Sequence, residues 1–423
     1  MPDLPLPEKL SILMSLAADD RESSADPRPL PPRLRNADAA GVHAPLNLRN
    51  LRVGSGRRRL LRILMTNACS YNCRYCPMRR DRNLPRTLLR PAELVRIFMG
   101  ALAKDWCDGL FVTTGIPGRP VKVMDDLIEA LETIRLRHRF GGYIHVKIVP
   151  GADPAQIERI TRLASRVSVN LEAPCGQSLA SIAPEKSLAV ALDTLERARE
   201  IVTQTRTENR LGRPRDPLLP GGAAGITMQF VVGATADSDR AIMERVTGIY
   251  AGGGMHHTQF SAFRPIADTP LEGERAAPAL REHRLYQVDH LVRDYGFDAG
   301  EMVYDDAGNL PLATDPKAAW ALAHPERFPV EVRTAGYEEL VRVPGIGPGS
   351  ARRIVAERAA TAFRGLADLR KLGVVTTRAA GFLTLGGRRL QTTRWAEQLG
   401  FWAPEEEAGR HQLTYEFSPG TFR

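Results

Sequence analysis

Three observations in this 423-residue chain predict an α/β fold: a partial (βα)6 TIM-like barrel followed by a small all-α C-terminal domain. First, six apolar strand-like runs, at 60–66, 109–114, 143–149, 166–172, 225–232 and 257–263, alternate with helix-like segments. Such alternation implies a parallel sheet with right-handed crossovers, and six units fall short of the closed barrel of eight. Second, a proline-rich break at 305–332 ends the alternation. Third, two helical segments follow it and flank the turn Pro344-Gly345-Ile346-Gly347.

The bulk properties narrow the class. Hydrophobic content of 43% and charged content of 25% suit a globular protein rather than a disordered one. No run of 18 apolar residues occurs, so no membrane partner is expected. The first nine residues lack the basic and apolar regions of a secretory leader, which places the chain in the reducing cytoplasm. The net charge of +9 favours polyanionic partners. Only seven of the 58 basic residues are lysine, so the excess counts as a binding signal only where it is localised.

Taken in order, residues 1–56 comprise a short amphipathic helix at 7–18 and an extended arm rich in Pro, Arg, Asp and Asn. Arg57, Arg58 and Arg59 then precede the first strand as a solvated charge run or a phosphate-contacting arm. Residues 57–304 form the barrel. Among its helices, Met124, Leu127, Ile128, Leu131 and Ile134 make an apolar stripe.

Strands in a doubly covered parallel sheet are usually apolar throughout. Several here alternate instead. Tyr143, His145 and Lys147 share one face; so do Ser168, Asn170 and Glu172; so do Thr227 and Gln229; so do His257, Gln259 and Ser261. Side chains alternate with period two, so these strands predict a shared polar lumen that holds ligand and substrate. The segment 203–224, rich in Arg, Pro and Gly, reads as an exposed loop.

Residues 305–332 read as a linker, 333–400 as the C-terminal domain and 401–423 as a tail. Leu340, Val343, Ala351 and Ile354 would pack the two helices around the Pro-Gly-Ile-Gly turn. The glycines permit a tight turn and close backbone approach. The N–H groups that open the second helix face outward for a phosphate oxygen. A diverged second copy follows at 363–383, with Phe363, Leu366, Leu369 and Leu372 before Gly373-Val374-Val375. Over 331–400 twelve basic residues face six acidic ones, so much of the excess charge sits here. Backbone contacts of this kind give affinity without sequence choice.

The chemistry resides in Cys69-Ser70-Tyr71-Asn72-Cys73-Arg74-Tyr75-Cys76, a C-x3-C-x2-C loop directly after the first strand. Three thiolates on one short loop can grip three corners of a [4Fe–4S] cube and leave one iron open. A zinc site would need a fourth ligand, and no second C-x2-C follows. A disulfide framework does not suit five cysteines in a cytoplasmic chain.

This spacing resembles that of the radical S-adenosylmethionine (SAM) enzymes. The resemblance implies that Cys69, Cys73 and Cys76 ligate the cluster. The open iron then chelates the methionine moiety of SAM, and Tyr75 contacts the adenosyl group. Thr113-Thr114-Gly115 stands where many members have Gly-Gly-Glu, so the backbone-permitting Gly115 is kept beside Thr114 and the acidic contact is not. Ser168, Asn170 and Glu172 match the strand that contacts the ribose hydroxyls. Lys147 or Arg264 would pair with the methionine carboxylate, and Gln229 joins this cofactor-facing set. The cluster takes its electron from a one-electron reductant. SAM then yields a 5′-deoxyadenosyl radical that removes a hydrogen atom from the substrate.

The turn and the following Ser350-Ala351-x-x-Ile354 resemble the helix-hairpin-helix module. That module implies nucleic-acid contact through Gly345, Ile346, Gly347, Gly349, Ser350, Arg352 and Arg353. The two modules together, over about 57–380, resemble the DNA modification/repair radical SAM proteins. Supporting stretches are Asp108-Gly109-Leu110-Phe111, Gly142 with the following strand, Val169-Asn170-Leu171-Glu172 and Ser261-Ala262-Phe263-Arg264-Pro265. Genes of that group often stand beside uracil-DNA-glycosylase-like genes, which implies a partner of that kind. The expectation is a radical SAM enzyme that modifies or repairs DNA. A radical SAM RNA-modifying enzyme, a non-enzymatic DNA-binding Fe–S protein and a small-molecule enzyme whose hairpin only packs are the alternatives. Cys107 and Cys175 are spare thiols; Cys175 is a candidate hydrogen-atom donor or an ordinary thiol at a strand end.

Overall fold

The computed structural model describes residues 4–17, 48–53, 56–212, 224–255 and 257–390. The tail at 401–423, the end of the C-terminal domain at 391–400 and most of the arm before residue 48 lie outside those residues.

The first compact unit comprises described residues of 4–237 and 249–277. It opens with α1 (Leu6–Ala17), which buries Leu10, Leu13 and Met14. The first strand, β1 (Leu48–Val53), pairs antiparallel with β2 (Gly56–Leu64) in the register Leu48↔Leu61. The sequence predicts an extended arm here; the structure instead pairs these residues into the sheet.

The chain then alternates. In order come α2 (Pro91–Ala103), β3 (Gly109–Thr113), α3 (Pro120–Glu132), β4 (Tyr143–Lys147), α4 (Pro154–Leu163) and β5 (Arg166–Glu172). They are followed by α5 (Gly176–Ile182), α6 (Leu188–Arg210), β6 (Gly225–Val232), α7 (Asp239–Ala251) and β7 (Thr258–Ala262). The sheet order is β1 through β7, and β2 to β7 are parallel neighbours. Six parallel strands thus form a curled half-barrel, as the alternation predicts.

Local chemistry explains the helix starts. Pro91, Pro120 and Pro154 each occupy the first turn, where a missing N–H costs nothing. Gln156 returns a hydrogen bond to the Asp153 N–H at 3.0 Å, which closes a capping box. On α3, Met124, Leu127 and Leu131 are fully buried, in line with the predicted stripe.

The strands separate their two faces sharply. Leu61, Ile63, Leu110, Val112, Ile144, Val146, Val167, Val169, Met228 and Phe230 are all 0% exposed and form the helix-side core. Each such side chain contributes about 1.5–3 kcal/mol of burial. The opposite face carries the polar residues, so the lumen is polar as expected.

One expectation fails. Residues 203–210 are not a loop but the last two turns of α6. Ala191, Leu195, Ala198 and Val202 bury one face of that helix. No helix breaker arrives until Gly212, which takes φ +64°. The segment 213–223 lies outside the described residues.

The second unit comprises 238–248 and described residues from 278 onward. It holds α8 (Ala279–Tyr295), α9 (Pro316–Ala323), β8 (Val330–Glu331), α10 (Tyr337–Arg342), α11 (Pro348–Glu357), α12 (Leu366–Lys371), α13 (Thr376–Ala379), β9 (Leu383–Leu385) and β10 (Arg388–Arg389). Two of these elements, α9 and β8, lie within the segment read as a linker. Trp320 is 0% exposed and packs edge-on against Phe297 at 5.2 Å.

The unit is not purely helical, which corrects the all-α expectation. A small sheet runs β10-β9-β8. Gly386 and Gly387 both take positive φ in the tight turn between β9 and β10. Glu331 accepts their N–H groups at 3.0 and 2.9 Å. Two adjacent glycines thus create a hairpin that a helical reading overlooks. Among the described residues no helix is long and apolar enough to cross a membrane.

Candidate active site and nucleic-acid interface

The cysteine loop leaves β2 at its C-terminal end and is tied down at once. Met65 N donates to Thr113 O at 2.8 Å and Gly115 N to Thr66 O at 2.8 Å. Buried Asn67 spans two strands of the loop: its Nδ2 donates to Pro85 O at 2.7 Å and its Oδ1 accepts from Thr87 N at 2.8 Å. Arg86 gathers further carbonyls, those of Asn67 (2.6 Å), Met78 (2.8 Å), Arg79 (2.5 Å) and Arg82 (2.9 Å). A guanidinium with five donors suits this work.

Gly115 has a specific reason to be glycine. An added Cβ would stand 2.3 Å from Ala68 O. The loop after β3 therefore lies directly against the cysteine loop, and Ser70 N donates to Ile116 O at 2.8 Å. Thr114 Oγ1 donates to Gly115 O at 2.7 Å.

All three motif cysteines are free thiols. Tyr71 N donates to Cys69 Sγ at 3.4 Å, and Met78 N to Cys76 Sγ at 3.4 Å. Such N–H···S bonds tune cluster sulfurs. Burial pushes the Cys73 thiol up to about 11, and burial followed by the neighbouring Cys73 pushes Cys76 higher still. Cys73 packs with Ala173, Leu179, Ile182 and Ala183 beneath Tyr71 and Tyr75. Among the described residues no three His, Cys, Asp or Glu side chains are grouped for a single metal ion. The donor set, three soft thiols on one loop with amide N–H groups on their sulfurs, fits an iron–sulfur cluster.

The end of β5 stands beside this loop. Glu172 is 2% exposed and takes φ +67°, a conformation that costs a non-glycine residue about 1–3 kcal/mol. The register with β6 shifts between Asn170 and Glu172, so the last turn of the strand is re-aimed. Lys186 Nζ donates to Glu172 Oε1 at 2.6 Å, and Asn170 Nδ2 donates to the same oxygen at 3.2 Å. Among the described residues no donor lies within hydrogen-bond distance of Glu172 Oε2. Burial opposes the Lys186 ammonium, but Glu172 and the Cys73 and Cys76 sulfurs outweigh it and raise its pKa. Burial and then Glu172 raise the Tyr75 phenol.

The remaining candidates separate. Lys147 is buried and donates to Gln229 Oε1 at 3.0 Å, while His145 Nε2 meets Ser168 Oγ at 3.0 Å. Arg264 is exposed, just past the end of β7. Cys175 caps α5 and accepts from Ser178 N at 3.4 Å, and its hydrogen bonds with Ser178 lower its pKa. Cys107 is buried, and burial raises its thiol to about 11. Arg59 is no phosphate arm: its NH2 pairs with Asp108 at 2.7 Å and Asp105 at 2.6 Å. The side chains of Arg57 and Arg58 lie outside the description.

Lys186 and Arg86 are the residues beside the cysteine loop that sequence reasoning does not single out. Both stand in irregular loops, where neither period two nor 3.6 applies. The rarity of lysine in an arginine-rich chain was the one available signal for Lys186.

In the second unit the two hairpins meet. Gly345 takes φ +82°, and a Cβ there would lie 2.5 Å from Val375 O. Val375 N donates to Gly345 O at 2.9 Å. Leu340, Val343, Ile346, Ala351 and Ile354 are buried, as are Phe363, Leu369 and Leu372 of the second hairpin.

The predicted contact residues divide. Ile346 is buried and its carbonyl accepts from Lys317 Nζ at 2.5 Å. Ser350 is buried; Arg353 donates to Leu372 O through Nε (2.9 Å) and NH2 (2.7 Å). Gly347 lies under the Tyr295 hydroxyl. Gly349, Arg352 and Arg353 are exposed near the start of α11; Arg353 is held to Leu372 O, whereas Arg352 leans over the Tyr337 ring at 5.9 Å.

Residues 63–211 match the family model described as Radical SAM superfamily. Residues 327–380 match the one described as Helix-hairpin-helix motif. A search of curated proteins found no match. Among solved structures, the FeFe-hydrogenase maturase HydG from Carboxydothermus hydrogenoformans is similar at 16% identity with TM-score 0.43. The alignment covers 55% of this chain and 51% of that one. Methylornithine synthase (PylB) is similar at 14% identity with TM-score 0.43, over 55% of this chain and 62% of that one. The chain thus spans about half the length of the maturase.

Proposed function

We propose that this chain, which carries a radical SAM core and a C-terminal helix-hairpin-helix region, is an enzyme that modifies or repairs DNA. One observation carries the reading: three free cysteines spaced C-x3-C-x2-C on a loop pinned by Asn67 and Arg86, with the Lys186–Glu172 pair beside it. The superfamily's cofactors are a [4Fe–4S] cluster and SAM, which together supply a 5′-deoxyadenosyl radical for hydrogen abstraction.

Cys69, Cys73 and Cys76 would hold three irons of the cluster. Lys186, close to those sulfurs, would pair with the methionine carboxylate; this replaces the choice between Lys147 and exposed Arg264. Thr114 and Gly115 line the methionine side, Ser168, Asn170 and Glu172 the ribose, and Tyr75 the adenosyl group. Lys147 and Gln229 stand deeper in the lumen, toward substrate. The apolar wall of Ala173, Leu179 and Ile182 excludes water from the loop.

The DNA part of the reading rests on the paired hairpins and their basic surface. Exposed Gly349 and Arg352 present an amide and a guanidinium to a backbone phosphate. A base within a duplex would have to be extruded to reach the lumen. The reading is tested by asking whether the reconstituted protein forms 5′-deoxyadenosine and takes its hydrogen atom from DNA.

A further inference from the structure

A groove between α10 and α11 of the second unit goes beyond what phosphate contact alone requires. It has a volume of about 300 Å³ and is lined by Tyr337, Arg352, Val355 and Ala356. That volume is at the small end of ligand pockets. Arg352, Val355 and Ala356 fall at i, i+3 and i+4, so they share one face of α11. Tyr337 opens α10, with Gly336 as its N-cap. Glu339 accepts from Gly336 N at 2.7 Å, and Arg358 donates to Ala335 O, tying the far end of α11 to the start of α10. Leu340, Ala351 and Ile354, all 0% exposed, pack the two helices together.

The lining points to one kind of guest. Tyr337 is only half-buried and Ala356 is exposed, so the ring and the apolar wall are open to solvent. The Arg352 guanidinium stands 5.9 Å from the ring, at the outer limit of a cation–π contact. Among the described residues it has no hydrogen bond or ion pair. A purely apolar guest would leave this cation without a partner. A planar ring that carries a phosphate satisfies both halves of the groove: the ring stacks on Tyr337 against Val355 and Ala356, and the phosphate meets the guanidinium. The twelve basic against six acidic residues over 331–400 favour an anionic guest. In a duplex the base faces are closed by their neighbours, so only an unpaired base offers a face to an aromatic side chain.

We infer that this groove stacks an unpaired base of a nucleic-acid strand on Tyr337 while Arg352 holds the adjoining phosphate. The inference rests on the nucleic-acid reading above and narrows it: the hairpin region selects single-stranded or locally opened DNA over intact duplex. The enzyme then meets DNA already unpaired, which spares the cost of extruding a base.

The test is fluorescence anisotropy of the reconstituted full chain, without reductant, on three labelled probes: a single DNA strand, the same strand annealed to its complement, and a strand of equal length whose central nucleotides are abasic. The intact strand should bind about fivefold or more tightly than either the duplex or the abasic strand, the low end of what one stacked base contributes. Tyr337→Leu removes the aromatic face and should bring both preferences below twofold, while affinity for the duplex stays within twofold. Tyr337→Phe keeps the face and should keep the preferences. Ala356→Leu, at an exposed helical position, fills the groove and should remove them as Tyr337→Leu does. Circular dichroism identifies any variant that fails to fold, and Ala356→Leu keeps the test open if Tyr337→Leu does not fold. Equal affinity for intact and abasic strands, preferences that survive in both folded Tyr337→Leu and Ala356→Leu, or their loss in Tyr337→Phe would overturn the inference. Salt-dependent binding of all three probes alike would do so and leave the nucleic-acid reading standing. Binding of none of them would overturn both.

Discussion

Lys186 Nζ and Glu172 Oε1 lie 2.6 Å apart, joining the loop after α5 to the strained last residue of β5. The pair is nearly buried, at 19% and 2% side-chain exposure. Its ammonium feels the Cys73 and Cys76 sulfurs as well as the carboxylate. It is therefore the cation proposed to meet an anionic group beside the cysteine loop.

Lys186→Met should raise the SAM dissociation constant about 10–100-fold, the loss expected of a charge-assisted hydrogen bond. Iron–sulfur absorbance should persist. Lys186→Arg should recover most of the affinity. Equilibrium binding of SAM to the reconstituted, unreduced protein reads this directly.

Gly115→Ala puts a methyl group against Ala68 O, and backbone cannot rotate away as a side chain can. The expected cost is about 1–3 kcal/mol, the usual range for overpacking. A thermal melt should show it, together with lower cluster occupancy after reconstitution.

His145 is held neutral in the folded state, chiefly by burial, while its unfolded counterpart titrates near 6.5. Below pH 6.5 the unfolded chain binds the extra proton and the folded one resists it. Stability should therefore fall as pH drops from about 6.5, and it should be fully present above that value. His145→Gln should flatten this limb in urea melts at pH 5 to 7.

Arg352 and Arg353 are neighbours with different expected roles. Arg352 is exposed, so Arg352→Ala should weaken DNA binding and reduce the salt slope by about one. Arg353 caps Leu372 O, so Arg353→Ala should chiefly destabilise the hairpin pair, by about 1–3 kcal/mol. Filter binding across a salt series and a urea melt separate the two.

Periodicity made much of this molecule legible. All six parallel strands fell within a few residues of their expected bounds, because apolar runs bounded by turns are hard to mistake. The polar lumen was visible in the alternation of Tyr143-His145-Lys147 and Ser168-Asn170-Glu172. Features without a period were not visible. Arg86 and Lys186 act from loops: Arg86 reaches carbonyls 4 to 19 residues back and Lys186 a carboxylate 14 residues back. The extension of α6 past residue 203 depended on buried Val202 and the late breaker Gly212, which outweighed a polar composition. Side-chain direction at the hairpin was equally hidden, since adjacent arginines on α11 diverge by about 100°.

The central claim is that a radical generated beside Cys69, Cys73 and Cys76 is spent on DNA. The direct measurement is deuterium transfer from perdeuterated DNA, or from RNA in parallel, into 5′-deoxyadenosine under SAM and reductant. The account predicts deuterated 5′-deoxyadenosine with DNA, and none with the Cys69→Ala, Cys73→Ala, Cys76→Ala triple variant. Unlabelled product with DNA, label from RNA alone, or SAM cleavage by the triple variant would contradict it.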